Sequence, residues 1–211
     1  LSFKHSTPID SSTPSLSIVA LRDKEAQDLA RGLPLMQRAG QAAAEWVAQT
    51  IAPPAQVLAL AGPGNNGGDA LVAAYLLLSM GFQVTVVMPL LTTHPPLDAQ
   101  EALANWRALG QPTCATLPEK KPDLVIDGLF GIGLSRPLAE PFQSLIDAVN
   151  TWHTNVLALD LASGIDAETG FTLGRPIKAT QTIAFIAPCH AFRVPNAQPF
   201  LGQCRVASLN I

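Results

Sequence analysis

Three aspartates stand where chemistry could be done: Asp69, Asp127 and Asp160. Asp69 follows a glycine-rich run, Gly62-Pro63-Gly64-Asn65-Asn66-Gly67-Gly68, whereas Asp127 and Asp160 close the apolar segments DLVID and NVLALD. Carboxylates drawn together from separate stretches, with a hydroxyl such as that of Ser163, can hold a monovalent cation or move protons. Burial and like-charge crowding would raise a carboxyl pKa into a useful range. The run before Asp69 matches G-x-G-x-x-G at Gly62, Gly64 and Gly67, a pattern that lets backbone amides approach phosphate oxygens at a helix start. A Gly/Asn turn explains part of it, but Asn-Asn followed by Gly-Gly-Asp exceeds what a tight turn needs. Asp127 leads into a second flexible loop with Gly131, Gly133, Ser135 and Arg136. That composition suits an oxygen-rich ligand or a hard cation.

Other chemistries fit less well. An ordinary NAD dehydrogenase site needs an acid at the end of its second strand to hold the ribose hydroxyls. Here that segment, QVTVVM, runs into PLLTTHPP, and no acid occurs before Asp98. Phosphate binding passes this test; the usual dinucleotide pose does not. The histidines His5, His94, His153 and His190 lack metal-ligand spacing, so a structural or solvent-exposed role is expected for each. No G-x-S-x-G elbow, phosphate-loop lysine or H-E-x-x-H is present.

The elements that must position these acids follow from periodicity. Helices are expected over 23–30 and 35–51, the second carrying Leu35, Ala39, Ala43, Trp46 and Val47 near helical spacing. Beyond Pro53 and Pro54, apolar runs at 56–61, 83–88, 123–130 and 155–160 alternate with helical stretches at 68–80, 98–109 and 138–150. In the first of these, Leu71, Tyr75 and Leu78 are expected to form one stripe. Two further strands, 181–186 and 203–209, close the chain. The runs are continuously apolar, as buried parallel strands should be. The fold class is therefore α/β: a Rossmann-like three-layer αβα sandwich with a mostly parallel central sheet. Ligands in such sheets gather at the carboxyl ends of strands, where all three acids fall.

Composition sets the bounds. At 211 residues, 48% hydrophobic and 14% charged, the chain suits one folded domain rather than a disordered tail. A formal net charge of -3 argues against a nucleic-acid footprint, and dispersed lysines form no basic patch. Cys114, Cys189 and Cys204 make no disulfide framework, and a reducing, cytoplasmic setting is expected. No apolar run approaches the ~18 residues of a membrane span. Residues 1–17, rich in Ser, Thr and Pro, read as a poorly ordered arm, with the domain spanning 18–211. The Ala-rich helix with Trp46 offers a face that could support a homodimer.

At these junctions the sequence resembles the YjeF N-terminal domain family, the NAD(P)H-hydrate epimerases. LMQRAG at 35–40, GPGNNGGDA at 62–70, DLVIDGLFGIGLSRP at 123–137 and LALDLASGIDAETG at 157–170 are similar to that family's ordered motifs. The resemblance implies interconversion of the R and S epimers of hydrated NADH and NADPH (NADHX and NADPHX). It places substrate contacts at Asn65, Asn66, Gly67, Gly68 and Asp69, and at Gly131, Ile132, Gly133, Leu134, Ser135, Arg136 and Pro137. Asp160 would contact substrate, and a potassium ion (K+) would be held by Asn66, Asp127 and Ser163. Chemically, Asp160 is the candidate proton donor and acceptor at the reacting hydroxyl. The partner implied is an ADP- or ATP-dependent dehydratase, fused or separate, and the end of the chain near such a junction leads to the expectation of an excised domain. Two departures stand out: Ala162 where many members have Pro, and Cys189-His190 where many carry Lys after Ala-Pro. Because some relatives use this fold as a binding scaffold, a catalytically weak or inactive nucleotide-binding domain is the alternative.

Overall fold

The computed structural model describes residues 6–90 and 94–209. One eight-stranded sheet runs through it. Its strands are β1 (Ser6–Pro8), β2 (Gln56–Ala61), β3 (Gln83–Val87), β4 (Thr113–Cys114), β5 (Leu124–Gly128), β6 (Asn155–Leu159), β7 (Gln181–Phe185) and β8 (Gln203–Ala207), in the spatial order β1-β8-β7-β6-β5-β2-β3-β4. All neighbours pair in parallel except β1, which runs antiparallel to β8. Helices α1 (Ile18–Ala30), α2 (Leu35–Thr50), α3 (Asn65–Ser79), α4 (Leu97–Ala108) and α5 (Phe142–Thr151) cover the sheet, and a single-turn α6 (Gln198–Leu201) precedes β8. Among the described residues no helix is long and apolar enough to cross a membrane.

Strand residues alternate between two buried cores. Val57, Ala59, Leu124, Ile126, Leu157 and Leu159 join α2, α3 and α4 on one face, while Leu58, Leu60, Val125, Val156 and Ala158 pack with α5 and with Leu21 of α1 on the other. Burial on both faces is why the strands read as unbroken apolar runs. The chain winds from β2 toward β3 and β4 in one direction, then returns to β5 on the other side of β2. The order reverses between β2 and β5, so the loops leaving these two strands diverge and open a crevice.

The structure departs from the sequence expectations in several places. Residues 6–17 are not a loose arm: Ser6–Pro8 is an edge strand, and Arg193 bonds to the carbonyls of Asp10 and Thr13. Pro8 is tolerated there because an edge strand leaves donor positions unpaired. Helix α1 starts five residues early, because Ser17 caps it through Ala20 N–H (3.2 Å) and Glu168 accepts from Ile18 N–H (3.0 Å). In α3 the inward stripe is Ala70, Leu71, Ala73, Ala74 and Leu77, and Tyr75 is exposed. Trp46 is buried within the chain rather than exposed on α2, with the Arg205 guanidinium 5.8 Å from its ring centroid.

Candidate functional site

The asparagine–glycine segment is the first turn of α3 rather than a loop before it, with Gly64 as N-cap. Packing imposes this conformation. A Cβ on Gly62 would stand 1.8 Å from the Leu129 carbonyl oxygen, and one on Gly67 would stand 2.0 Å from the Gly62 carbonyl oxygen. Gly68 lies under the Met36 side chain in the same way, at 2.5 Å. The glycines therefore let the β2 loop, the start of α3 and the β5 loop touch backbone to backbone. The helix N-terminus, with Gly64 and Asn65, borders the crevice.

A cavity of about 360 Å³ occupies that crevice. Asn65, Asn66 and Asp69 line it from α3, Gly131, Ile132, Gly133 and Leu134 from the β5 loop, and Asp160 from the end of β6. Gly67 and Gly68 lie buried beneath it, and Ser135, Arg136 and Pro137 run outside it, so five positions expected at the substrate do not line the cavity. Arg22 and Glu25 of α1 do line it, although nothing in the sequence singled them out. Their only signal is a charged pair one helical turn apart, which any surface helix can show.

Asp160 adopts a left-handed backbone, φ 65°, a region that few non-glycine residues enter, though Asp does so more readily than most. Its carboxylate oxygen Oδ2 accepts from Ile132 N–H at 2.8 Å, and a Cβ on Gly131 would stand 2.3 Å from that oxygen. Glycine at 131 thus gives the carboxylate its place. Burial pushes the Asp160 carboxyl up to about 6 against the Ile132 bond, helped by the charge of Glu25. Asp69 is held well above the usual carboxylate range, first by burial and then by the charges of Asp160, Glu25 and Asp98. Burial also raises Glu25, opposed by Arg22.

Asp127 lies deeper, fully buried at the end of β5, and does not line the cavity. Its Oδ1 accepts from Ser163 Oγ–H (2.7 Å) and Leu129 N–H (3.3 Å), and its Oδ2 accepts from Ser163 N–H (2.9 Å). Burial nevertheless pushes its carboxyl up to about 6 against those bonds. Asn66, 9% exposed, leaves both side-chain polar atoms without a hydrogen-bond partner. Orphaned buried amides are costly unless something fills the site. Asn66 carbonyl oxygen also crowds Gly128, where a Cβ would stand 2.7 Å away, so this residue lies against the neighbour of Asp127. Asp127 and Ser163 bring carboxylate and hydroxyl oxygens together, donors of the type that suits a hard cation.

None of the described histidines lines this cavity. His190 is exposed at the head of a 3-10 turn (His190–Arg193), His94 and His153 lie elsewhere, and His5 falls outside the described residues. Cys189 is buried, and its thiol is pushed up to about 12 by burial and then by the charge of Asp160. Neither Cys189 nor His190 lines the cavity.

Comparison with known proteins agrees with this architecture. The family model for the YjeF-related protein N-terminus matches residues 32–191. A protein of Achromobacter xylosoxidans named NAD(P)H-hydrate epimerase is 54% identical over 198 residues, covering 93% of this chain and 94% of the relative. One of the same name from Bordetella bronchiseptica is 53% identical over 185 residues, 86% of this chain and 81% of its own. A bifunctional NAD(P)H-hydrate repair enzyme of Thermosynechococcus vestitus is 38% identical, covering 82% of this chain but 35% of that longer protein. The crystal structure of yeast YNL200c superposes with a TM-score of 0.74 at 22% identity, covering 85% of this chain and 83% of that one, which shows a shared fold. The chain belongs to the family of the YjeF-related protein N-terminus.

Proposed function

We propose that the protein is an NAD(P)H-hydrate epimerase, an isomerase that interconverts the R and S forms of NADHX and NADPHX in nicotinamide nucleotide repair. The observation that carries this reading is the Asp160 carboxyl: it enters the cavity beside the glycine loop, fixed by Ile132 N–H and raised to about 6. Near neutrality such a group can both give and take a proton. Epimerising a carbinolamine carbon requires loss and return of its hydroxyl, or opening and closing of the ring. In the first route Asp160 protonates the hydroxyl, the C–O bond breaks to release water, and the ring nitrogen lone pair forms an iminium. Water then adds to the other face and returns its proton to Asp160. No hydride moves, so the dinucleotide is substrate and not cofactor.

Asn65, Asn66 and the 131–134 loop serve as substrate contacts in this reading. Asp69, whose carboxyl is held well above the usual carboxylate range by burial and by neighbouring acids, serves as a hydrogen-bonding partner for the nicotinamide end. Potassium is the proposed resident cation, held by Asn66, Asp127 and Ser163, where it would supply a fixed positive charge that offsets the buried Asp127 carboxylate. The orphaned Asn66 amide and the paired Asp127 and Ser163 oxygens support that choice. The proposed setting is cytoplasmic, with an ADP- or ATP-dependent dehydratase consuming the epimer made here.

An epimerase must reach one ratio from both sides. Purified protein incubated separately with R-NADHX and with S-NADHX is expected to bring both to the same epimer ratio, followed by chromatography, far faster than spontaneous drift. Ratios that drift as in buffer would refute the activity.

A further inference from the structure

The cavity has an asymmetric charge pattern. Glu25, Asp69 and Asp160 make its interior acidic, and among its described lining residues the one cation is Arg22. A dinucleotide carries negative charge on its diphosphate, for which none of the interior acids is a partner and the Arg22 guanidinium is. Arg22 lies on the exposed side, one turn before Glu25 on α1. Its Nη2 is 3.9 Å from where a Cβ on Gly133 would stand, so the guanidinium borders the backbone of the glycine loop. The neighbouring bases of this helix are engaged elsewhere: Lys24 and Arg31 both pair with Asp28. Arg22 makes no ion pair within 4 Å among the described residues. A planar guanidinium with free donors is well matched to phosphate oxygens.

We propose that Arg22 and the adjoining backbone of Gly133 form a diphosphate subsite on α1 that fixes the direction in which the dinucleotide enters. This rests on the epimerase reading and adds the residue that orients its substrate. The diphosphate stays at the rim, and the hydrated nicotinamide is directed inward to Asp160. Arg22 is a positioning residue, since it touches no reacting atom.

Direct binding tests this separately from catalysis. ADP-ribose keeps the diphosphate, and nicotinamide riboside lacks it. By calorimetry, Arg22→Gln is expected to weaken ADP-ribose binding about 10- to 100-fold, the span of a charged hydrogen bond. Nicotinamide riboside binding should change less than about twofold, and Arg22→Lys, which keeps the charge but loses the planar fork, should recover only part of the ADP-ribose affinity. Lys120→Gln, which removes the same charge from a groove holding Gln56 and Gln83 at the amino ends of β2 and β3, controls for overall field. Unchanged ADP-ribose binding in Arg22→Gln, equal weakening of both probes, or an equal effect of Lys120→Gln would overturn the subsite. If wild-type protein binds ADP-ribose through Arg22 yet leaves the epimer ratio untouched, the epimerase reading fails and the subsite stands.

Discussion

The proposed acid–base group, Asp160, owes its placement to its backbone as much as to its carboxyl. A left-handed residue ending β6 turns its side chain back over the loop from β5, where Ile132 N–H holds it. The same burial that raises its pKa makes stability depend on pH. The ordinary value is 3.8 and the folded one about 6, so between them the folded protein holds a proton that the unfolded chain releases. Stability contributed by this group is full below about pH 4 and is lost as pH rises through 6. Asp160→Asn, which also tolerates a left-handed backbone, should therefore gain on the order of 1–3 kcal/mol relative to wild type at pH 7.5 over its difference at pH 4. Denaturant unfolding at the two pH values checks this; a difference that does not grow with pH would contradict it. The same variant should turn over R-NADHX about 10²–10⁴ times more slowly. At this scale the sequence was informative for acids at strand ends, since position after an apolar run is a local signal. It was silent on Arg22 and Glu25, whose place depends on how α1 docks across the sheet.

At the scale of elements, the glycines of the β2–α3 junction are not equivalent. Gly62 is pressed against the Leu129 backbone, whereas a Cβ on Gly64 would meet nothing within 4 Å. Gly62→Ala is accordingly expected to cost about 3 kcal/mol or more, because neither backbone can yield, and Gly64→Ala to stay within about 0.5 kcal/mol. Denaturant midpoints of the two variants check this, and equal losses would contradict it. The motif shows in the sequence, but the division of labour inside it does not, because Leu129 comes from a distant strand. Helix ends were misplaced for a related reason. The Asn-Asn-Gly-Gly turn has poor helix propensity and is held helical by Met36, Gly62 and Gly128 around it. The start of α1 depends on a bond to Glu168, 150 positions away, which no local pattern shows. Strands β1 and β4, of three and two residues, are too short for periodicity to announce.

For the whole molecule, the alternation of strands and helices made the layered fold legible, and the strand order explains why three separate loops meet. The winding reverses between β2 and β5, so the crevice opens beside Asn66 and Asp127, and β6 brings Asp160 to its edge. A second groove, about 430 Å³, lies at the opposite ends of the strands, but its described lining residues, including Gln56, Gln83 and Lys120, hold no carboxylate. Volume would favour that groove; the chemistry favours the crevice. The most direct test is difference density from crystals of the protein grown with the hydrated dinucleotide. The nicotinamide ring is expected beside Asp160 with the diphosphate over Gly133, and density along Gln56, Gln83 and Lys120 instead would contradict the account.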